Sequence, residues 1–560
     1  MRKFFECTVG VFGLLFIFMP VAIAAGLPGT VQPGQIEKQF QPEPKMHTDQ
    51  IKKVVVPPPE QPMPPNAEQI RFKLNRLVVE GVTVYPESSL LPYYKEYLAK
   101  DISLSDIYRV ASALTTKYRN DGYILSQVVV PAQSIEEGTA HLKAIEGYID
   151  NIVIDGVSGD YRKLVQRYAE KIKKSRPVKN QDLERYMLLI NDLPGAFAQA
   201  TIRPSQNVPG ASDMIIVFSQ RKVQGGAGLD NRGGESLGPL RISADFGLNS
   251  VLGLQENTAA RYVTSGDNKM NFLLISHDEQ VGSEGGKVNL SVSGVNSTPK
   301  ELSFIPLNLE TTSRTASVTY THPVIRSRSE NIFIHGSFYG HEGKTDIFGM
   351  EDTKDKIRAV SLGVTYDRAD VLYGTNLLDI SVSQGISGLG SSENGDPTLS
   401  RPNGKVNFTK ANLYAARLQT IYKEWSLLAA VSAQYAFTDL LSSELYSFGG
   451  EYFGRGYDPS ELVGDTGASG KVELRYTETL PATVLFTYTG YVFYDIGIVH
   501  QRSPGGLPAD DSGASAGFGL RLQMTRYLSA FGEFAKPLTR DVATEGNRDP
   551  RLYGGVSIRF

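Results

Sequence analysis

Few residues in this sequence are spaced for chemistry, and those that are suggest binding rather than bond breaking. Gly513-Ala-Ser515-Ala-Gly517 has the spacing of a nucleophile elbow, a pattern that works on a sharp strand-to-helix turn. Here it opens an alternating strand, so catalysis is not expected. The seven histidines are scattered, with no His-Glu-x-x-His and no ligand-spaced cluster. No glycine-rich phosphate loop is present. No metal, nucleotide or other cofactor is therefore expected. The single cysteine, Cys7, falls in the first 24 residues.

The remaining candidates are an arginine and an aspartate. The arginine lies in Phe448-Gly-Gly450-Glu-Tyr-Phe453-Gly454-Arg455-Gly456-Tyr457-Asp-Pro459. Gly454 and Gly456 free the backbone to turn sharply and present Arg455. Such a tip could be an external loop with a solvated arginine, or a loop folded onto a carboxylate. The aspartate lies in Phe493-Tyr-Asp495-Ile-Gly497. Around it Val484, Phe486, Tyr488, Val492, Tyr494, Ile496 and Ile498 take the even positions, and Thr487, Thr489 and Asp495 the odd ones. If the even face meets lipid, Asp495 faces a wet interior, where an Arg455–Asp495 pair could be bidentate and directional.

The elements that must hold these residues read as follows. Residues 1–24 resemble a secretory signal: Arg2 and Lys3, an apolar stretch from Val9 to Val21, then Ala22-Ile23-Ala24. Cleavage there would leave a mature chain without cysteine. Residues 25–69 form an extended, proline-rich linker, with six prolines between Pro57 and Pro65; the one helical possibility in it is Gln35–Gln41. From residue 70 the order strand, helices, strands occurs twice, over 70–147 and 148–223. Leu104 to Leu114 shows helical spacing, closed by Asn120-Asp-Gly122; two β segments are expected next, Ile124 to Val130 and His141 to Ile154, and Ile152-Val-Ile-Asp-Gly156 reads as the strand that opens the second unit. Tyr161–Lys174 and Asp182–Leu193 read as helices, and Ala196–Arg203 and Met214–Phe218 as strands.

Residues 224–560 carry almost no helical period. Lys287-Val288-Asn-Leu290-Ser-Val292-Ser-Gly294 and Ala514 to Gln523 alternate strictly. About sixteen strands are expected, with long connections at 295–313, 340–356, 385–409, 439–468, 496–512 and 537–550, and short ones between. Long loops on one side and tight turns on the other mark an outer-membrane barrel. Closure is obligatory in hydrocarbon, where every backbone polar group needs a partner. The last strand puts Leu552, Val556, Ile558 and Phe560 on one face and stops at an aromatic. A net charge of −3 argues against non-specific nucleic-acid binding.

Taken together, the chain after the signal resembles the ShlB/FhaC/HecB-type transporters of two-partner secretion, within the wider group of POTRA-bearing outer-membrane proteins. The resemblance rests on the two repeated units, like POTRA domains, and on the barrel entry Gly228-Leu-Asp230-Asn231-Arg-Gly233. It rests also on the Arg-Gly-aromatic loop, the Phe-x-Asp-x-Gly segment (Phe493, Asp495, Gly497) and Phe560. The fold it implies is a transmembrane antiparallel β-barrel of about sixteen strands preceded by two α+β POTRA-like domains. By the same resemblance, the sixth external loop enters the pore and Arg455 meets Asp495. Phe560 belongs to the signal read by the barrel-assembly machinery. This chain departs at Gly454, where the family more often has Val. Family members often hold an N-terminal helix in the lumen; Gln35–Gln41 is short and Pro-flanked for that role.

The implied function is recognition of an unfolded, exported partner of the large β-helical type by the POTRA domains, and its passage through the barrel. Outer-membrane lipids and the assembly machinery are the other partners; nucleic acid and nucleotide are not. The location implied is the bacterial outer membrane, with the POTRA domains in the periplasm. An assembly factor that inserts other barrels is the nearest alternative. A passive porin would have no use for two periplasmic modules.

Overall fold

A computed structural model describes residues 27–47, 62–156, 159–208, 210–301, 304–481, 486–504 and 508–560. The expected export signal with Cys7, its cleavage site, and prolines 57–59 lie outside the described residues.

The first of the two repeated units is built on helix Leu104–Asn120. Ser103 caps it: its hydroxyl accepts from the Asp106 amide, and the Asp106 carboxylate accepts from the Ser103 amide, a reciprocal capping box. The helix buries Ile107, Val110, Ala111, Leu114 and Tyr118. Beneath it, Arg76–Glu80 runs parallel to Thr139–Ile145, which pairs antiparallel with Gln127–Val129. The first helix of a two-helix unit is reduced to a single turn, Glu87–Leu90, followed by two 3-10 turns.

The expected segment His141 to Ile154 is not one strand. It divides at Glu146-Gly147 into Thr139–Ile145 and Tyr148–Asp155. A Cβ on Gly147 would come within 2.4 Å of the Leu125 carbonyl, so only glycine permits this approach. One piece completes the first unit and the other begins the second. There, Tyr148–Asp155 is parallel to Ala211–Gln220, with Ala196–Pro204 as the antiparallel edge. Helices Gly159–Lys174 and Asn180–Asn191 cover one face, with Leu164, Val165, Ile172, Leu189 and Ile190 against Met214, Ile216 and Phe218. The two units are joined by backbone hydrogen bonds, Asn180 N to Gly122 O at 2.8 Å and Val178 N to Gly147 O at 3.0 Å.

Residues 223–559 form a closed barrel of sixteen antiparallel strands, sealed where the last, Arg551–Arg559, pairs with the first, Val223–Asp230. Its alternation has one sense. Leu290, Val292, Val318, Leu362, Val492 and Ile496 are exposed on the outside, while Ser313, Asp367, Glu473 and Asp495 are buried within. A water-soluble sandwich would bury the apolar set instead; this arrangement suits a hydrocarbon surround. The long connections share one rim. One expected loop, 340–356, is instead the tip of a hairpin. The seventh strand, Glu330–Ile347, and the eighth, Met350–Ala369, run on to a turn at Phe348-Gly349. About 9–11 residues cross a bilayer, so these strands project well past it. Outside the membrane neither face need be apolar, and the alternation fades.

The N-terminal segment 27–47 threads the lumen. A 3-10 turn, Gly29–Val31, and a helix, Pro33–Lys38, lie inside the barrel with Val31, Gln35 and Ile36 fully buried. The prolines that argued against a lumen helix include its first residue, Pro33. Proline is well suited to that place because its missing N–H would be unpaired anyway.

Candidate pore-loop site

The connection between the eleventh strand, Trp425–Ala436, and the twelfth, Thr466–Thr479, is folded back into the barrel. It forms a small hairpin, Tyr446–Phe448 with Leu462–Gly464. Beyond the hairpin the chain turns at Gly454, whose φ is +82°. A Cβ there would lie 2.7 Å from the Phe448 ring. The Phe448 ring thus fills the space that any side chain at position 454 would need.

Arg455 reaches the wall of the thirteenth strand, Thr487–His500. Its Nε donates to Asp495 Oδ2 at 3.0 Å and its Nη2 to Oδ1 at 2.8 Å, a two-pronged pair. The amides of Gly454 and Arg455 donate to the same carboxylate, at 3.2 and 3.0 Å. The guanidinium carbon sits 3.5 Å from the centre of the Phe493 ring. Asp495 is 0% and Arg455 4% exposed; ions so fully removed from water must be paired.

Glycines provide the seat. The Phe448 ring packs on Gly497 and Gly513 as well as Gly454, and Gly456 approaches the fourteenth strand, Asp510–Gln523, at Ser515. Tyr457 is 1% exposed and its hydroxyl donates to the Ala514 carbonyl at 2.9 Å. Gly513-Ala-Ser515-Ala-Gly517 thus lies within a barrel strand, with Ser515 opposite Asp495 in register. Its small residues make a smooth wall against which the loop tip fits.

Sequence reasoning missed the rest of the cluster. Arg455 Nη1 also donates to Glu473 at 2.7 Å and lies 3.7 Å from Glu533. Glu473 accepts from Arg475 Nε at 2.6 Å and Arg521 Nη1 at 2.7 Å. Glu533 accepts from the Tyr491 hydroxyl at 2.8 Å and pairs with Arg232 at 3.0 Å. Glu473 and Arg475 occupy the polar face of an alternating strand, a signal that was there to be read.

The Asp230, Asn231 and Gly233 group closes the first barrel strand, Val223–Asp230. It lies at the far end of the first strand, where the seam closes. Asn231 Nδ2 donates to the Leu552 carbonyl at 2.8 Å, and its Oδ1 accepts from the Gly554 amide at 2.7 Å. Asp230 accepts from Arg241 Nε at 2.8 Å. Gly233 makes a tight turn, since a Cβ would lie 2.2 Å from the Gly238 carbonyl. At the other end of the seam, Phe560 and Gly225 exchange backbone hydrogen bonds at 2.9 and 3.1 Å.

The N-terminal segment adds a second lumen contact set. The Glu37 carboxylate accepts from the hydroxyls of Ser293, Ser313 and Thr315, the last at 3.0 Å. Gln35 Nε2 donates to the Ser442 carbonyl at 2.7 Å, and Lys38 Nζ to the Leu445 carbonyl at 2.6 Å. Ser442 and Leu445 belong to the inserted loop, so segment and loop hold each other.

The family model described as haemolysin secretion/activation protein ShlB/FhaC/HecB matches residues 210–522, and the model of the ShlB-type POTRA domain matches residues 72–147. The heme/hemopexin transporter protein HuxB of Haemophilus influenzae is 23% identical over 460 residues, covering 80% of each chain. The outer membrane transporter CdiB of Dickeya dadantii is 24% identical over 448 residues, 77% of each. The solved structure of CdiB from Escherichia coli superposes with a TM-score of 0.71 at 19% identity, covering 96% of this chain and 95% of that one.

Proposed function

The chain belongs to the ShlB/FhaC/HecB haemolysin secretion/activation family, and from that premise we propose how its parts carry a partner protein across the membrane. As an outer-membrane transporter of two-partner secretion, it has its POTRA domains in the periplasm and serves a secreted partner. The passenger is a large protein of β-helical type, arriving unfolded. It is received on sheet edges of the POTRA domains, where an extended chain can add as a strand through backbone hydrogen bonds. Ala196–Pro204 is such an edge: Phe197 and residues 199–201 are exposed, and the run 196–202 carries neither charge nor proline. The chain then passes the inserted loop and folds outside. Gly454, Arg455, Gly456 and Tyr457, with Phe493, Asp495 and Gly497, set that loop's position. Asp230, Asn231 and Gly233 stabilise the seam, Phe560 engages the assembly machinery, and the outward apolar band meets outer-membrane lipid.

The observation that carries this reading is the paired Arg455–Asp495 contact inside a barrel whose lumen also holds its own N-terminal segment. A passive pore has no need of two removable occupants. The test is mass spectrometry of the medium with and without this chain, and with Arg455→Ala. Loss of one large exported protein is expected. Wholesale loss of other barrels from the membrane would favour an assembly factor instead.

A further inference from the structure

A chain of polar contacts joins the N-terminal segment to the second POTRA domain. Asp192, just past helix Asn180–Asn191, receives a two-pronged contact from Arg326, Nε to Oδ2 at 2.7 Å and Nη2 to Oδ1 at 2.8 Å. Arg326 ends the sixth barrel strand, Glu310–Arg326, and its Nη1 donates to Asn331 Oδ1 at 3.0 Å. Asn331 Nδ2 donates to Asp367 Oδ1 at 3.0 Å, across the pair formed by the seventh and eighth strands. The other oxygen of Asp367 lies 3.2 Å from His47 Nδ1, at the end of the lumen segment. His47 also rests against the Phe333 ring, 4.8 Å between centres.

Asn331 and Asp367 are both 0% exposed. A buried carboxylate that loses a partner must find another or become costly. If His47 withdraws, the side-chain hydrogen bond left to Asp367 among the described residues is that from Asn331, whose amide oxygen is already held by Arg326 and by the Ser327 amide. The unmet charge then draws on Arg326 and competes with Asp192. We propose that Arg326, Asn331 and Asp367 are positioning residues that couple the seating of the second POTRA domain to the seating of the lumen segment. Coupling of this kind is reciprocal: loosening the domain at Asp192 loosens the segment, and the reverse. A passenger that engages the POTRA domain thereby favours clearing of the pore.

The proposal rests on the reading that the lumen segment gives way during transport. The two are separated by measuring conductance of the full-length protein in planar bilayers with no passenger present, while secretion is assayed apart. Asp192→Asn lies outside the barrel, and assembly of each variant is checked by heat-modifiable migration. Asp192→Asn and His47→Ala should each raise the open fraction about threefold or more, as befits residues within one hydrogen-bonded network. The double variant should open no more than the stronger single one. In an Asn331→Ala background, Asp192→Asn should have no effect; this arm reads the same coupling from its middle link. Glu184→Gln removes a separate ion pair at the same interface, with the Arg328 guanidinium, and should leave the open fraction at the parent value. The proposal is overturned by an unchanged open fraction in Asp192→Asn, by independent effects in the double variant, or by equal opening in Glu184→Gln.

Discussion

Arg455 holds its place through carboxylates on three strands, and that sets what its replacement does. Removing one partner of a buried ion pair costs about 3–5 kcal/mol, and here Asp495, Glu473 and Glu533 would all lose cover. Arg455→Ala should therefore free the loop tip and lower secretion by roughly tenfold or more, since about 1.4 kcal/mol is a decade. The barrel should still assemble, because the strand ladder does not pass through the loop. Arg455→Lys keeps a charge but loses the planar fork, so it should fall between parent and Ala. Quantifying the passenger in the medium beside heat-modifiable migration of the barrel separates these outcomes. Gly454→Val is a finer test: a β-branched residue at φ +82° costs about 1–3 kcal/mol and also meets the Phe448 ring. Phe448→Ala beside it should restore space but not backbone freedom, giving partial rescue of secretion. The Arg455 and Asp495 pair was legible from glycine spacing, a polar position on an alternating strand, and family resemblance. Glu37 was not legible, because its three hydroxyl partners come from two strands more than 250 residues away in sequence.

Elements show where local patterning stops carrying information. The sixteen strands were readable because lipid demands alternation, and the 340–356 hairpin was misread because above the membrane that demand ends. The lumen helix is hard to read because Gln35–Gln41 is short and Pro-flanked, and so short a helix is not stable alone; Pro33–Lys38 is held by the barrel around it. Glu37→Ala should thus loosen the segment and raise the open fraction in planar bilayers, whereas the strand ladder, read as protection from hydrogen exchange, should be unchanged. The first POTRA domain yields a pH prediction. Burial disfavours the charge of Glu146, but hydrogen bonds from Thr83, Tyr118 and Val84 outweigh it and hold its pKa below the ordinary carboxylate value. Burial likewise opposes Asp106, and the amide and hydroxyl of Ser103 with Arg109 outweigh it. Groups with depressed folded-state pKa values stabilise fully above the unfolded value, about 4, and lose that contribution as pH falls through the folded value. Protection from hydrogen exchange across residues 71–145, taken relative to unstructured amides at the same pH, should fall below about pH 4, and Glu146→Gln should flatten that response.

The whole molecule joins a receiving arm to a conduit, and the two should be separable. The first POTRA domain has a core of its own, with Leu74, Ile107, Leu114 and Leu142 fully or nearly buried. Deleting residues 70–147 should abolish secretion and leave a conducting barrel in planar bilayers. What then moves a passenger outward is a question of energy. No nucleotide is expected in the periplasm, and the sequence carries no glycine-rich phosphate-loop motif. The conduit itself is symmetric with respect to work: whatever enters can also slide back. Folding outside would break that symmetry, because a domain gains about 5–15 kcal/mol on folding and could no longer re-enter a lumen narrowed by the inserted loop. On this reading each stretch that folds outside would make the preceding step irreversible. Passengers carrying substitutions that prevent folding, but leave their POTRA-binding segment intact, should engage normally and then stall, leaving protease-sensitive chains spanning the barrel. Pulse-labelling with surface proteolysis reads this directly, and export of such a passenger at the parent rate would show that folding does not set the direction of travel.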